Sequence, residues 1–112
     1  KLKNKWVKAL RSGKYKQGEM ELYHNGAHCC LGVLARVQGA VVRKGRLKID
    51  GQDVRKRKNA NASTEEFLAR DFAAGLHTKT QNRLSSMNDG TGSYYGKRKN
   101  FKQIADFIEK RL

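Results

Sequence analysis

The sequence predicts an α+β fold in one small domain, residues 1–112, with about five short helices around one or two antiparallel hairpins. Three observations lead there. Asn25-Gly26 and Asp50-Gly51 accept the positive φ angles of two-residue hairpin turns, and strand-like segments flank them. Residues 4–12 and 100–112 carry apolar side chains at helical spacing. The 112 residues, 38% of them hydrophobic, supply one modest core, since domains are typically ~100–150 residues long.

The first helix spans residues 4–12, with Trp6, Val7 and Leu10 on one side and Gly13 as its stop. Residues 19–24 alternate apolar and polar, and with Asn25-Gly26 they form a short hairpin leading into residues 27–29. From Cys30 the spacing of Cys30, Val33, Leu34 and Val37 becomes helical until Gly39, which marks the buried helix of the fold. Residues 40–58 return to strand character. A two-residue turn at Asp50-Gly51 sets Ile49 against Gln52, Lys48 against Asp53 and Leu47 against Val54. An apolar pair beside an opposite-charge pair makes that hairpin self-consistent. One step further, Arg46 falls opposite Arg55, an unfavourable pair unless solvent or an anion screens it.

After a loop at 59–62, Ser63 and Glu66 match a capping box opening a helix that carries Phe67, Leu68, Phe72 and Leu76, with Gly75 near its end. A short helix over residues 80–87 follows, stopped by Asn88-Asp89-Gly90, and residues 90–99 form a flexible glycine- and tyrosine-containing loop. Asn100 and Gln103 make a second capping box, beyond which Phe101, Ile104, Ala105, Ile108 and Leu112 share one face. This stretch looks like the first half of a helix-turn-helix, but no recognition helix follows it, so it is expected to close the core.

Charge is the strongest functional signal. Twenty-five Lys and Arg stand against ten Asp and Glu, a formal net charge of +15. Such a balance on a small domain attracts polyanions, and phosphate backbones bind largely by releasing counterions. The main platform is the basic hairpin 40–58, where Arg43, Lys44, Arg46, Arg55, Lys56, Arg57 and Lys58 cluster, with Lys97, Arg98 and Lys99 beside it. Tyr94 and Tyr95, flanked by glycines and next to these cations, are candidates for stacking on unpaired bases. Tyr15, between Lys14 and Lys16, is better placed to pack its ring inward.

Other chemistry is poorly supported. His24 and His28 have the spacing of half a zinc pair, but a tight turn falls between them and no second cysteine pair completes a tetrahedron. Cys29 falls at a helix N-terminus, where a thiolate is favoured; Cys30 reads as a core residue. Neighbouring cysteines rarely bridge, which suits a reducing, intracellular setting. Carboxylates are scarce and scattered, and neither GxxxxGK[ST] nor GxGxxG occurs. No enzyme activity, metal or cofactor is expected. No apolar run approaches the ~18–20 residues that cross a bilayer, and KLKNKWVKAL has no secretory signal region.

Several stretches carry a resemblance. Trp6, Ala9-Leu10-Arg11-Ser12-Gly13, Tyr15 and Gln17, then Cys29-Cys30-Leu31-Gly32-Val33-Leu34, then Met87-Asn88-Asp89-Gly90 with Phe101, Ile104-Ala105-Asp106 and Ile108-Glu109, occur in that order. In these positions the chain resembles a group of small proteins encoded in tailed-phage genomes. The likeness covers the two ends, about half of the chain. Residues 40–62 depart from it in being so basic, and the insertion between Gly90 and Phe101 is longer. The resemblance implies a phage setting, in the host cytoplasm or the virion, and brings no site residues with it.

The resulting expectation is a phage protein that binds DNA or RNA through phosphates with little sequence preference. The alternative is a module that docks on an acidic host or phage protein, steered by complementary charge. A charge of +15 repels a second copy, so the free protein is expected to be a monomer.

Overall fold

Trp6, Val7 and Leu10 turn one side of α1 (Leu2–Arg11) inward. In the computed structural model, which describes residues 1–57 and 66–112, the Trp6 indole N–H donates to the Cys30 carbonyl at 2.9 Å. That bond ties α1 to α2 (Cys30–Val37), whose residues from Cys30 to Ala35 are all buried. Between the two helices lie β1 (Lys16–Gln17), β2 (Tyr23–His24) and β3 (Ala27–His28), in the order β1-β3-β2. Strand β1 runs parallel to β3, and β2 antiparallel. Asn25 and Gly26 take φ angles of 47° and 86°, the hairpin turn that the dipeptide predicts.

A second sheet contains β4 (Val41–Arg43), β5 (Arg46–Ile49) and β6 (Gln52–Asp53) in that order. Lys48 pairs with Asp53 and Ile49 with Gln52, and Val54 N–H donates to the Leu47 carbonyl at 3.2 Å. This is the register set by Asp50-Gly51. A further hairpin turn at Lys44-Gly45, with φ of 52° and 76°, joins β4 to β5.

Two expectations fail in the next stretch. Arg46 does not face Arg55: its cross-strand partner is Arg43, and after Val54 the chain leaves the sheet. It continues as β7 (Arg55–Arg57), paired antiparallel with β8 (Glu66–Leu68). The predicted helix over residues 63–75 is therefore absent from its described part, since Phe67 and Leu68 lie in a strand and Phe72 in a 3-10 turn, Arg70–Phe72. Its cap residue Ser63, the loop at 59–62 and Lys58 lie outside the described residues. The cause is tertiary. Glu66 does not turn back to cap a helix; it is buried and receives Arg55 Nη1 at 3.1 Å.

Helix α3 (Thr78–Asp89) packs on α2 and on α4 (Phe101–Arg111), and α4 packs along α1. Asn100 Oδ1 accepts from Gln103 N–H at 2.8 Å and Gln103 Oε1 from Asn100 N–H at 3.0 Å, the capping box that the sequence predicts. Phe101, Ile104, Ala105 and Ile108 are buried, so α4 closes the core. The whole is a small α+β domain, with four α-helices among the described residues where the sequence suggests five. None of these helices is long and apolar enough to cross a membrane.

Candidate nucleic-acid interface

Arginines and lysines have separate tasks here. Among the described residues, five carboxylates pair with four arginines: Asp106 and Glu109 with Arg11, Asp53 with Arg46 and Arg55, Glu66 with Arg55, and Glu19 with Arg98. No lysine joins a salt bridge among these residues. The planar guanidinium fork suits fixed carboxylates, whereas a lysine ammonium is a hydrated point charge on a flexible stem. Arg11 grips both oxygens of Glu109 at 3.1 and 3.2 Å, and those hydrogen bonds hold the Glu109 carboxyl below the usual range.

This allocation divides the predicted platform. Arg46 Nη1 lies 3.5 Å and Arg55 Nε 3.0 Å from Asp53 Oδ2, while Arg55 Nη1 reaches Glu66. Asp53 thus screens the two arginines expected to repel, and both are half-buried around a cavity of about 180 Å³ shared with Glu21 and His24. They are framework. Arg43, Lys44 and Lys56 are exposed, and Arg57 follows in β7.

The second basic group sits elsewhere, at the corner where α3 ends. Arg98 Nε donates to the Asn88 carbonyl at 3.0 Å and its Nη1 meets Glu19 at 2.8 Å, so Arg98 too is framework. Lys97 is exposed and Lys99 half-buried. Residues 18–20 meet this corner, and Tyr23 and His24 meet β5, so segment 18–24 stands between the two basic groups. The backbone of residues 91–99 is hydrogen-bonded, with Lys97 N–H to Tyr94 O at 2.7 Å and Lys99 N–H to Met87 O at 2.7 Å. Tyr94 is half-buried and its hydroxyl accepts from Arg83 Nε at 3.4 Å; Tyr95 is 85% exposed, free to stack.

Asn88, which the sequence marks as part of a helix stop, organises this corner. It is fully buried. Its Oδ1 accepts from Gln17 Nε2 at 3.0 Å and from Cys30 N–H at 3.1 Å, and its Nδ2 donates to Gly18 O and Asp89 Oδ1, both at 2.8 Å. Gln17 Nε2 also donates to the Lys99 carbonyl at 2.8 Å, fixing the chain beside the exposed lysines. The asparagine before Asp89-Gly90 is a visible signal, but its role needs partners 58 to 71 residues away.

The histidines and cysteines lie apart in function. His24 is exposed beside Glu21, at 2.9 Å. His28 is buried between the rings of Tyr15 and Tyr23, with centroids at 5.1 and 4.9 Å, and neither of its nitrogens has a partner. Tyr15 therefore packs inward, with Lys14 and Arg36 over its ring. Cys29 Sγ caps α2 by accepting from Gly32 N–H at 3.4 Å, but burial pushes its thiol up to about 12, overriding the helix end that was expected to favour a thiolate. Among the described residues no three metal-ligating side chains come together.

His28 gives a testable pH dependence. Burial first, and the Arg36 charge second, lower its pKa from 6.5 to about 4. The unfolded chain takes up this proton near pH 6.5 and the folded chain only near 4, so stability is full above 6.5 and falls as pH drops through that window. Between pH 7.5 and 4.5, denaturant melts of His28→Phe will lose roughly 2 kcal/mol less than the parent. Equal losses would show that His28 is not buried neutral.

A family described as a domain of unknown function (DUF8296) matches residues 1–69. The chain belongs to that family. No curated protein and no solved structure matches it. The DUF8296 stretch runs from α1 to β8 and includes Arg43, Lys44 and Lys56; Asn88, Tyr95, Lys97 and α4 come from the remainder of the chain.

Proposed function

We propose that this protein is a small phage protein that binds DNA or RNA through phosphate contacts with little sequence preference, without catalysis, in the host cytoplasm or the virion. The observation that carries this reading is the division of labour among its cations. Carboxylates hold Arg11, Arg46, Arg55 and Arg98, while Arg43 and every lysine among the described residues stay out of these salt bridges. Arg43, Lys44, Lys56 and Lys97 are then the contacting residues, with Lys99 beside them, Arg57 and Lys58 continuing the run, and Tyr95 stacking on an exposed base. Contacts of this kind position a chain on a phosphate backbone and do not read base edges.

Reversing three of these charges in Arg43→Glu, Lys44→Glu, Lys56→Glu tests the platform. With a slope of ~0.9 per phosphate contact on duplex DNA, the log–log salt dependence will become shallower by about 3. An unchanged slope would move the interface off this hairpin.

One observation favours a second reading. Val41 and Val42, 46% and 38% exposed, lie on edge strand β4 beside Arg43. An acidic protein segment adding to that edge would use its backbone groups, the valines and the cations together. Co-purification of one acidic protein after nuclease treatment would favour it.

A further inference from the structure

We infer that the cleft between β8 and the start of α3 receives one unpaired nucleobase with its phosphate. This rests on the nucleic-acid reading and adds to it a site and a preference for single strands. The cleft holds about 750 Å³, within the ~300–1,000 Å³ of small-molecule sites. Its lining combines three features that one nucleotide would satisfy together.

Phe67, Leu68 and Leu76 supply apolar surface suited to the flat face of a base. Lys56 and Arg70, both exposed, line the same cleft together with Thr78. Thr78 begins the twelve-residue helix α3, whose N-terminal end also favours an anion. The third feature is Gln81. It is 7% exposed, its Nε2 donates to the Leu76 carbonyl at 3.2 Å, and its Oε1 is shut from solvent with no partner. A buried unpaired amide oxygen is costly and calls for a donor, and a turn of the Gln81 amide into the cleft it lines would bring that oxygen to a bound base. The natural bases each carry an N–H on their pairing edge, which a duplex occupies and a single strand leaves free. Inorganic phosphate meets the cations but offers neither the flat body nor the donor.

The test follows the Gln81 side-chain amide by NMR in the full chain, titrated with adenosine monophosphate, purine riboside monophosphate and inorganic phosphate. Adenosine monophosphate will shift the Gln81 and Phe67 signals. The analogue lacking the amino group will bind about fivefold more weakly, the worth of one neutral hydrogen bond. Phosphate alone will leave Gln81 unmoved, and in Gln81→Leu the two nucleotides will bind equally. Unmoved Gln81 signals with adenosine monophosphate, or equal binding of both nucleotides to the parent, would overturn the cleft. Strand binding measured alongside separates the two readings. If strands bind with a steep salt dependence while Gln81 stays still, the cleft fails and the phosphate platform stands. If Gln81 shifts and no strand binds, the platform fails and the cleft stands as a nucleotide site.

Discussion

Replacing Asn88 with leucine will remove about 4 kcal/mol of stability, read as a lowered denaturant midpoint at an unchanged slope, or will leave the chain unfolded. Leucine keeps the branched outline with bulkier ends, so no cavity forms. The loss comes from what the amide satisfies. Without it the Cys30 N–H and the Gly18 carbonyl, both held by Asn88 at a fully buried position, lose their partners, and Gln17 loses one of its two acceptors. Each orphaned buried group costs ~1–3 kcal/mol. Against a total of ~5–15 kcal/mol for a natural domain, two such groups remove a large fraction. A loss under about 1 kcal/mol would mean that water or neighbouring groups replace the amide, and that Asn88 does not organise the corner.

Gly32→Ala carries the second large effect, and here two opposing magnitudes decide the sign. Alanine favours a helix over glycine by ~1 kcal/mol, and Gly32 lies inside α2. But a Cβ at this position would sit 1.9 Å from the Leu22 carbonyl oxygen and 2.9 Å from its carbon. The obstacle is backbone, so α2 must move away from the segment leading into β2. That separation disturbs Leu22, whose carbonyl also accepts from Cys29 N–H at 3.2 Å. Overpacking of this kind costs ~1–3 kcal/mol and sometimes more. We expect a net loss of about 2 kcal/mol, a fall in Tm of roughly 8–12 °C for a domain of this size. A melting temperature equal to or above the parent's would show that α2 and residue 22 are not pressed together.

Trp6 bonds the Cys30 carbonyl and both Gln17 and Cys30 bond Asn88, so the stretches from Trp6 to Gln17, from Cys29 to Leu34 and Asn88-Asp89-Gly90 meet in one corner of the fold.

What the sequence made legible was local. The Asn25-Gly26 and Asp50-Gly51 turns, the Lys48–Asp53 register and the Asn100–Gln103 capping box each depend on neighbours a few residues apart. What it hid was long-range. Phe67 and Leu68 fit a helical spacing, but Arg55 holds Glu66 across eleven residues and draws that segment into a strand. The Lys44-Gly45 turn was hidden for a different reason, since lysine is no turn former and Lys44 takes φ 52° only because the flanking strands pair. For the candidate interface, counting charge gave the sign and the regions. Charge alone does not say which cations are already neutralised. Arg46, Arg55 and Arg98 look like Arg43 in the sequence, and the carboxylates that separate them lie on other strands or in a distant loop.

The most direct test of the central claim is equilibrium binding of the unmodified chain to equal-length single- and double-stranded DNA and RNA, by anisotropy over a range of salt. With Arg43, Lys44, Lys56 and Lys97 on phosphates, affinity for duplex DNA will fall with a log–log slope of about −3 to −5. Negligible binding at the lowest salt, or a slope near zero, would contradict a phosphate platform and direct attention to an acidic protein at the β4 edge.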